Sequence, residues 1–211
     1  TLAKLISRFW DVGAGSIQIG GIDIRSYSYH ALASLMSYVS QDIFLFNTSI
    51  LENIRMGRPG ASDEEVIKIA KATQCHEFIL NCPDGYHTIV GDGGEKLSGG
   101  QRQRVWIAMA LAQKTDMLFL DEPTTFLDIA HQLDIMQLLV QLNREQGVTI
   151  VMVIHDLNHA AMFSDYVVAV RNGIKEFEGT PQQVITPEVL RIVFDVESVP
   201  FSHPVFHTQL C

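Results

Sequence analysis

Cysteine, positive charge and long apolar runs are all scarce in this chain of 211 residues. Its three cysteines, Cys75, Cys82 and Cys211, are an odd number without metal-ligand spacing, which points to a reducing, cytosolic setting. Cys75-His76 has no second ligand cluster to join, so ordinary helix packing is expected of it. Lys and Arg total 15 against 24 Asp and Glu, a formal net charge of −9. That balance argues against a nucleic-acid partner, because phosphate backbones select clustered cations. No apolar run approaches the roughly 18–20 residues that span a bilayer. The N-terminus also lacks the charged start and apolar core of a secretory signal. Against these absences, hydrophobic residues make up 47% and charged ones 18%, enough core for one sizeable domain or a core plus a subdomain.

The order of elements is legible from periodicity and breakers. Residues 1–6 read as the first turns of a helix, with apolar positions 2, 5, 6 and 9 on one face. Residues 16–24 read as a hairpin turning at Gly20-Gly21. Leu35–Ser40 is a short strand ending at Gln41. From Asp42 to about Gly94 helices and loops follow, with a capping-box start at Ser62-Asp63-Glu64-Glu65, a turn at Pro83-Asp84-Gly85 and a flexible loop at 91–94. Residues 101–112 form a helix, Met117–Leu120 a buried strand, 130–145 a helix, and Val148–Ile154 a second buried strand. A helix near 157–163 and a strand at 166–171 complete the pattern. Strands alternating with helices predict an α/β sheet with parallel strands.

Five places along this order carry chemistry. Ser98-Gly99-Gly100 opens the 101–112 helix; the glycines let backbone N–H groups approach an anion, and the helix start adds positive partial charge. An ordinary helix cap is the plainer alternative. Asp121-Glu122 ends a buried strand, where ligands of open α/β sheets collect. Asp121 suits the shell of a hard Mg²⁺ ion and Glu122 a general base acting on water, against the alternative of a solvated acidic turn. His155 ends the next strand and is able to donate to a phosphate there. Gln41 offers an amide at the end of its own strand, and Asp128 is placed either to cap the following helix or to act at the site.

The string Leu97-Ser98-Gly99-Gly100-Gln101 resembles the signature motif of ATP-binding cassette (ABC) ATPases. Gln41, that signature, Asp121-Glu122, Asp128 and His155 stand in the order of the family's Q-loop, signature, Walker B, D-loop and switch histidine, over essentially the entire chain. The resemblance implies a P-loop NTPase (RecA-like) core with a parallel sheet and an inserted ABC helical subdomain. Residues 1–41 and 101–180 would be parts of the core, 42–100 the helical signature subdomain and 181–211 a tail. It further implies ATP and Mg²⁺ as cofactors and a location on the cytoplasmic face of the membrane. Transmembrane domains and a second cassette would be its partners. Two cassettes would stack head to tail, so that Ser98, Gly99, Gly100 and Gln101 reach the partner's ATP.

The sequence departs from the family in two ways. No stretch matches the Walker A pattern G-x-x-x-x-G-K-[ST]; Thr1 falls at or just after its final hydroxyl position and is read as cofactor-binding, so the chain is expected to begin just downstream of the phosphate cradle. Residues 41–54 and 88–94 look like the exporter branch, whereas 124–129, 155–158 and 179–196 resemble importers of the iron-siderophore or vitamin B12 type, as in a mosaic joined near the signature. Two rivals accompany the ATPase reading: a catalytically incompetent remnant that serves a complete cassette, and a soluble ABC ATPase of DNA repair or translation, disfavoured by the acidic balance.

Overall fold

A computed structural model describes residues 2–125, 127–199, 201–202 and 209–210. These fall into two compact units, residues 1–153 and 154–211. The first begins with helix α1 (Leu2–Ile6) and a hairpin of β1 (Gln18–Ile19) and β2 (Ile22–Asp23), paired antiparallel across Gly20-Gly21. In α1 the fully buried residue is Ala3 and Leu2 is 51% exposed; Phe9, expected on the same helical face as Leu2, lies beyond the end of α1 and is 56% exposed. Helix α2 (Tyr29–Leu35) follows, its first turn capped by the Ser28 hydroxyl accepting from Ala31 N at 3.1 Å.

The sheet that matters for function has three parallel strands in the order β3 (Met36–Val39), β4 (Met117–Asp121), β5 (Thr149–Val153). Leu118, Phe119 and Leu120 are buried because the central strand of a covered parallel sheet meets apolar neighbours on both faces. Strand β5 lies at the edge of this sheet, so Ile150–Val153 are half-buried rather than fully buried as the sequence suggests. The register sets Val39 beside Leu120 and Asp121 beside Val153, so the chain leaving β3 emerges level with the end of β4.

Between β3 and β4 lies the helical segment: α3 (Ile50–Arg55), α4 (Asp63–Ala72), α5 (His76–Leu80) and α6 (Gly99–Ala112). The capping box at α4 forms as its sequence predicts, Ser62 Oγ accepting from Glu65 N and Glu65 Oε2 from Ser62 N. Leu45, Ile50, Ile54, Val66, Ile79, Val90 and Val105 join Cys75 in one apolar cluster, each fully buried. Each such side chain contributes about 1.5–3 kcal/mol. Residues 91–94, expected to be a flexible loop, instead form a tight 3₁₀ turn with Gly94 N donating to Gly91 O at 3.2 Å. Gly94 is buried there against Leu45 and Arg102. Helix α6 is tied to the sheet through Ser37 Oγ, which donates to Ala110 O at 2.9 Å. Helix α7 (Ile129–Gln146) connects β4 to β5 and buries Ile135, Met136, Leu138, Leu139 and Leu142.

The second unit holds α8 (Leu157–Phe163), β6 (Val167–Arg171), β7 (Ile174–Gly179), α9 (Pro181–Val184) and α10 (Pro187–Phe194), followed by the short antiparallel pair β8 (Phe201–Ser202) and β9 (Gln209–Leu210). The sequence anticipates β6 as one more strand of an alternating parallel sheet. It pairs instead with β7 in an antiparallel hairpin, with an irregularity between Ala169 and Val170. A return after only two residues permits no crossover, so the pair has to be antiparallel. Ala169, Val184, Val189 and Val193 form one small core beneath the hairpin, and Ala160, Ala161, Ile185 and Leu190 another around α8.

Candidate functional site

The ends of β3 and β4 bring three of the sequence-derived residues together. Gln41 Nε2 donates to Glu122 Oε2 at 3.0 Å, across 81 positions of sequence. Thr125 Oγ1 donates to the same oxygen at 3.0 Å. Glu122 itself has φ of +50°, a left-handed conformation that costs a non-glycine residue about 1–2 kcal/mol. Its backbone is pinned there by two bonds: its N–H donates to Val153 O at 3.0 Å, and its carbonyl accepts from Thr125 N at 3.2 Å. The carboxylate is thus aimed by backbone and side-chain partners alike.

Asp121 is half-buried at the last position of β4, and its Oδ2 accepts from the Tyr38 hydroxyl at 2.8 Å. The Tyr38 phenol is pushed above its ordinary range, first by burial and then by that hydrogen bond to Asp121. Tyr38 and Thr125 were not singled out from the sequence. An aromatic residue in an apolar strand reads as core, although a phenol placed there needs a polar partner, and that need is the missed signal.

At the signature, Ser98 caps α6: its Oγ accepts from Gln101 N at 3.3 Å, and Gln101 Oε1 accepts from Ser98 N at 3.0 Å. Both residues form the capping box, so the Ser98 hydroxyl keeps its proton to donate outward. Gly100 is buried against His131, where an added Cβ would stand 2.5 Å from His131 Cδ2. Asp128 caps α7, its Oδ1 accepting from His131 N at 3.0 Å while Oδ2 lies 2.7 Å from His131 Nδ1. The His131 backbone N–H, and then its imidazole, hold the Asp128 carboxyl below the usual carboxylate range. One turn further on, Arg104 of α6 reaches Asp134 of α7 at 3.3 Å. His131 is a further residue that the sequence reading did not name. His155 is exposed just past β5, at the start of the second unit, and Asp156 beside it caps α8 by accepting from His159 N at 2.9 Å. Thr1 lies outside the described residues.

Among the described residues no cluster of three or more His, Cys, Asp or Glu side chains is placed to enclose a metal. The donors at the ends of β3 and β4 are hard oxygens, the Asp121 carboxylate and the Gln41 amide. That set fits Mg²⁺, which binds through one or two carboxylates with phosphate and water completing its shell. It does not fit a transition metal held wholly by protein.

A parallel sheet with a glutamate and an aspartate at its central strand's end, a helical insert and a capped Ser-Gly-Gly helix start define a cassette-type ATPase. The chain belongs to the ABC transporter family, whose description matches residues 1–125. It is 59% identical over 221 aligned residues to the iron(3+)-hydroxamate import ATP-binding protein FhuC of Bacillus subtilis, covering all of this chain and 78% of that one. It is 40% identical over 188 residues to the putative multidrug export ATP-binding/permease protein YgaD of the same organism, covering 89% of this chain and 32% of that one. A bacterial Atm1-family ABC exporter solved with ATP bound superimposes with a TM-score of 0.79 at 35% identity, over 90% of this chain and 32% of that one. The chain therefore spans about a third of the exporter relatives' length, and its relatives include proteins named for import and for export.

Proposed function

We propose that this chain is the ATP-binding and ATP-hydrolysing part of an ABC transporter, coupling hydrolysis to movement of a solute across a membrane. The observation that carries this reading is the Gln41–Glu122 hydrogen bond of 3.0 Å beside Asp121, at the ends of adjacent parallel strands. In this reading Glu122 takes a proton from the attacking water, and Gln41 and Thr125 aim its carboxylate. Asp121 and Gln41 hold Mg²⁺, which supplies charge neutralisation at phosphate oxygens when bound. His155 donates to the γ-phosphate. Ser98, Gly99, Gly100 and Gln101 meet ATP carried by a second cassette stacked head to tail, with Asp128 at the same junction and Thr1 on the chain's own nucleotide. Residues 1–41 and 101–180 form the core, 42–100 the signature subdomain and 181–211 the tail. Transmembrane domains attach the cassette at the cytoplasmic face of the membrane as a peripheral subunit or domain; no described helix is itself long and apolar enough to cross.

Calorimetric titration with ATP tests this reading. The 211 residues contain no Gly-rich loop ending in Lys-Ser or Lys-Thr, and such a loop supplies most of the phosphate contacts. The chain alone is therefore expected to bind ATP more weakly than about 1 mM. Mixed with a complete ABC cassette, it is expected to add saturable ATP binding that Ser98→Ala weakens. Steady ATP turnover by the chain alone, abolished by Glu122→Gln, would place a whole catalytic site within these residues and overturn the shared-site reading.

A further inference from the structure

The geometry points to Tyr38 as a positioning residue that fixes the Asp121 carboxylate for a divalent cation. This rests on the reading of Asp121 as a metal ligand. The sheet register pairs Tyr38 with Phe119, so Asp121 is the diagonal neighbour two residues further along β4. Neighbouring strands lie about 4.8 Å apart and two residues rise about 6.6 Å, so the diagonal Cα–Cα gap is about 8 Å, which a side chain as long as tyrosine closes. Serine or threonine at position 38 would fall short, and phenylalanine would reach without a proton to donate.

The ring itself has little freedom. Phe9 packs edge-on against it with centroids 5.1 Å apart at 84°, and Phe119 lies along it at 6.2 Å and 30°. A ring so held delivers its hydroxyl to one point, 2.8 Å from Asp121 Oδ2. The second torsion of an aspartate is broad and roughly two-fold, so an unanchored carboxylate turns among many orientations. Once Oδ2 is engaged by the phenol, Oδ1 is the oxygen with no hydrogen-bond partner among the described residues. Hydrogen-bond partners of metal-ligating groups typically change metal affinity about 10- to 100-fold when removed.

The test uses Mn²⁺ alone on the full chain labelled with ¹⁵N, read as paramagnetic broadening of amide signals during titration. Broadening is expected to centre on Gln41, Asp121 and Glu122. Tyr38→Phe keeps the ring and removes the hydroxyl, and is expected to weaken Mn²⁺ binding about 10-fold. Ser37→Ala serves as the control: it removes a different buried hydrogen bond of β3, at 2.9 Å to Ala110 O, without touching Asp121. It is expected to lower the thermal midpoint while leaving Mn²⁺ affinity unchanged. Unaltered Mn²⁺ binding in Tyr38→Phe, or an equal loss in Ser37→Ala, overturns the positioning role. Absence of broadening in the parent, or broadening that survives Asp121→Asn, removes Asp121 as a ligand, and the proposal falls with it by a separate route.

Discussion

Glu122→Gln, in the assembled transporter, is expected to lower ATP turnover by about 10²- to 10⁴-fold, the range for losing a general base. The amide preserves the size of the side chain and is able to keep the left-handed backbone at φ +50°. Its oxygen still accepts from Gln41 or Thr125, which both reach Glu122 Oε2 at 3.0 Å. What the variant lacks is a group able to take a proton from water. ATP binding should persist while phosphate release stops, a split measurable by nucleotide retention and released phosphate on the same sample. Turnover within a factor of two of the parent would assign the base elsewhere.

The second large effect concerns packing rather than chemistry. A Cβ on Gly57 would lie 1.8 Å from Met109 O and 2.9 Å from Met109 C, both backbone atoms of α6. Neither atom belongs to a flexible side-chain end, so α3 and α6 must separate to accept even a methyl group. Overpacking typically costs 1–3 kcal/mol, and a clash with backbone belongs at or above the top of that range. At 2–4 °C per kcal/mol for a chain of this size, Gly57→Ala should lower the thermal midpoint by roughly 10 °C. Gly13→Ala, with nothing within 4 Å of its Cβ, should leave it within about 0.5 kcal/mol of the parent. Equal midpoints for the two variants would show that α3 does not approach α6 as closely as described.

What the sequence shows, and what it hides, follows from how local each signal is. The Ser62 capping box, the Ser98 cap and the helix over 157–163 are set by neighbours a few residues away, and each is found as read, whereas β3 stops at Val39, short of Gln41, and β4 runs one residue further than read, to Asp121. The pairing of β6 with β7 is a choice of partner, which periodicity within one strand does not specify. Tyr38 escaped for a similar reason: its partner lies 83 residues away, and an apolar strand with one tyrosine looks the same whether the phenol meets water or a carboxylate. Asp128 reads from sequence as either a helix cap or a site residue; the cap is present, at 3.0 Å to His131 N.

The close approach of Gly100 to His131, continued by Arg104 and Asp134, bears on motion. An added Cβ at Gly100 would sit 2.5 Å from the imidazole, and the ion pair one turn along spans 3.3 Å. The first turns of α6 and α7 are thus clamped at two levels along their length. The serine–glycine turn and Asp128 are accordingly joined through one side chain, His131, so a displacement of either helix start is expected to be felt at the other.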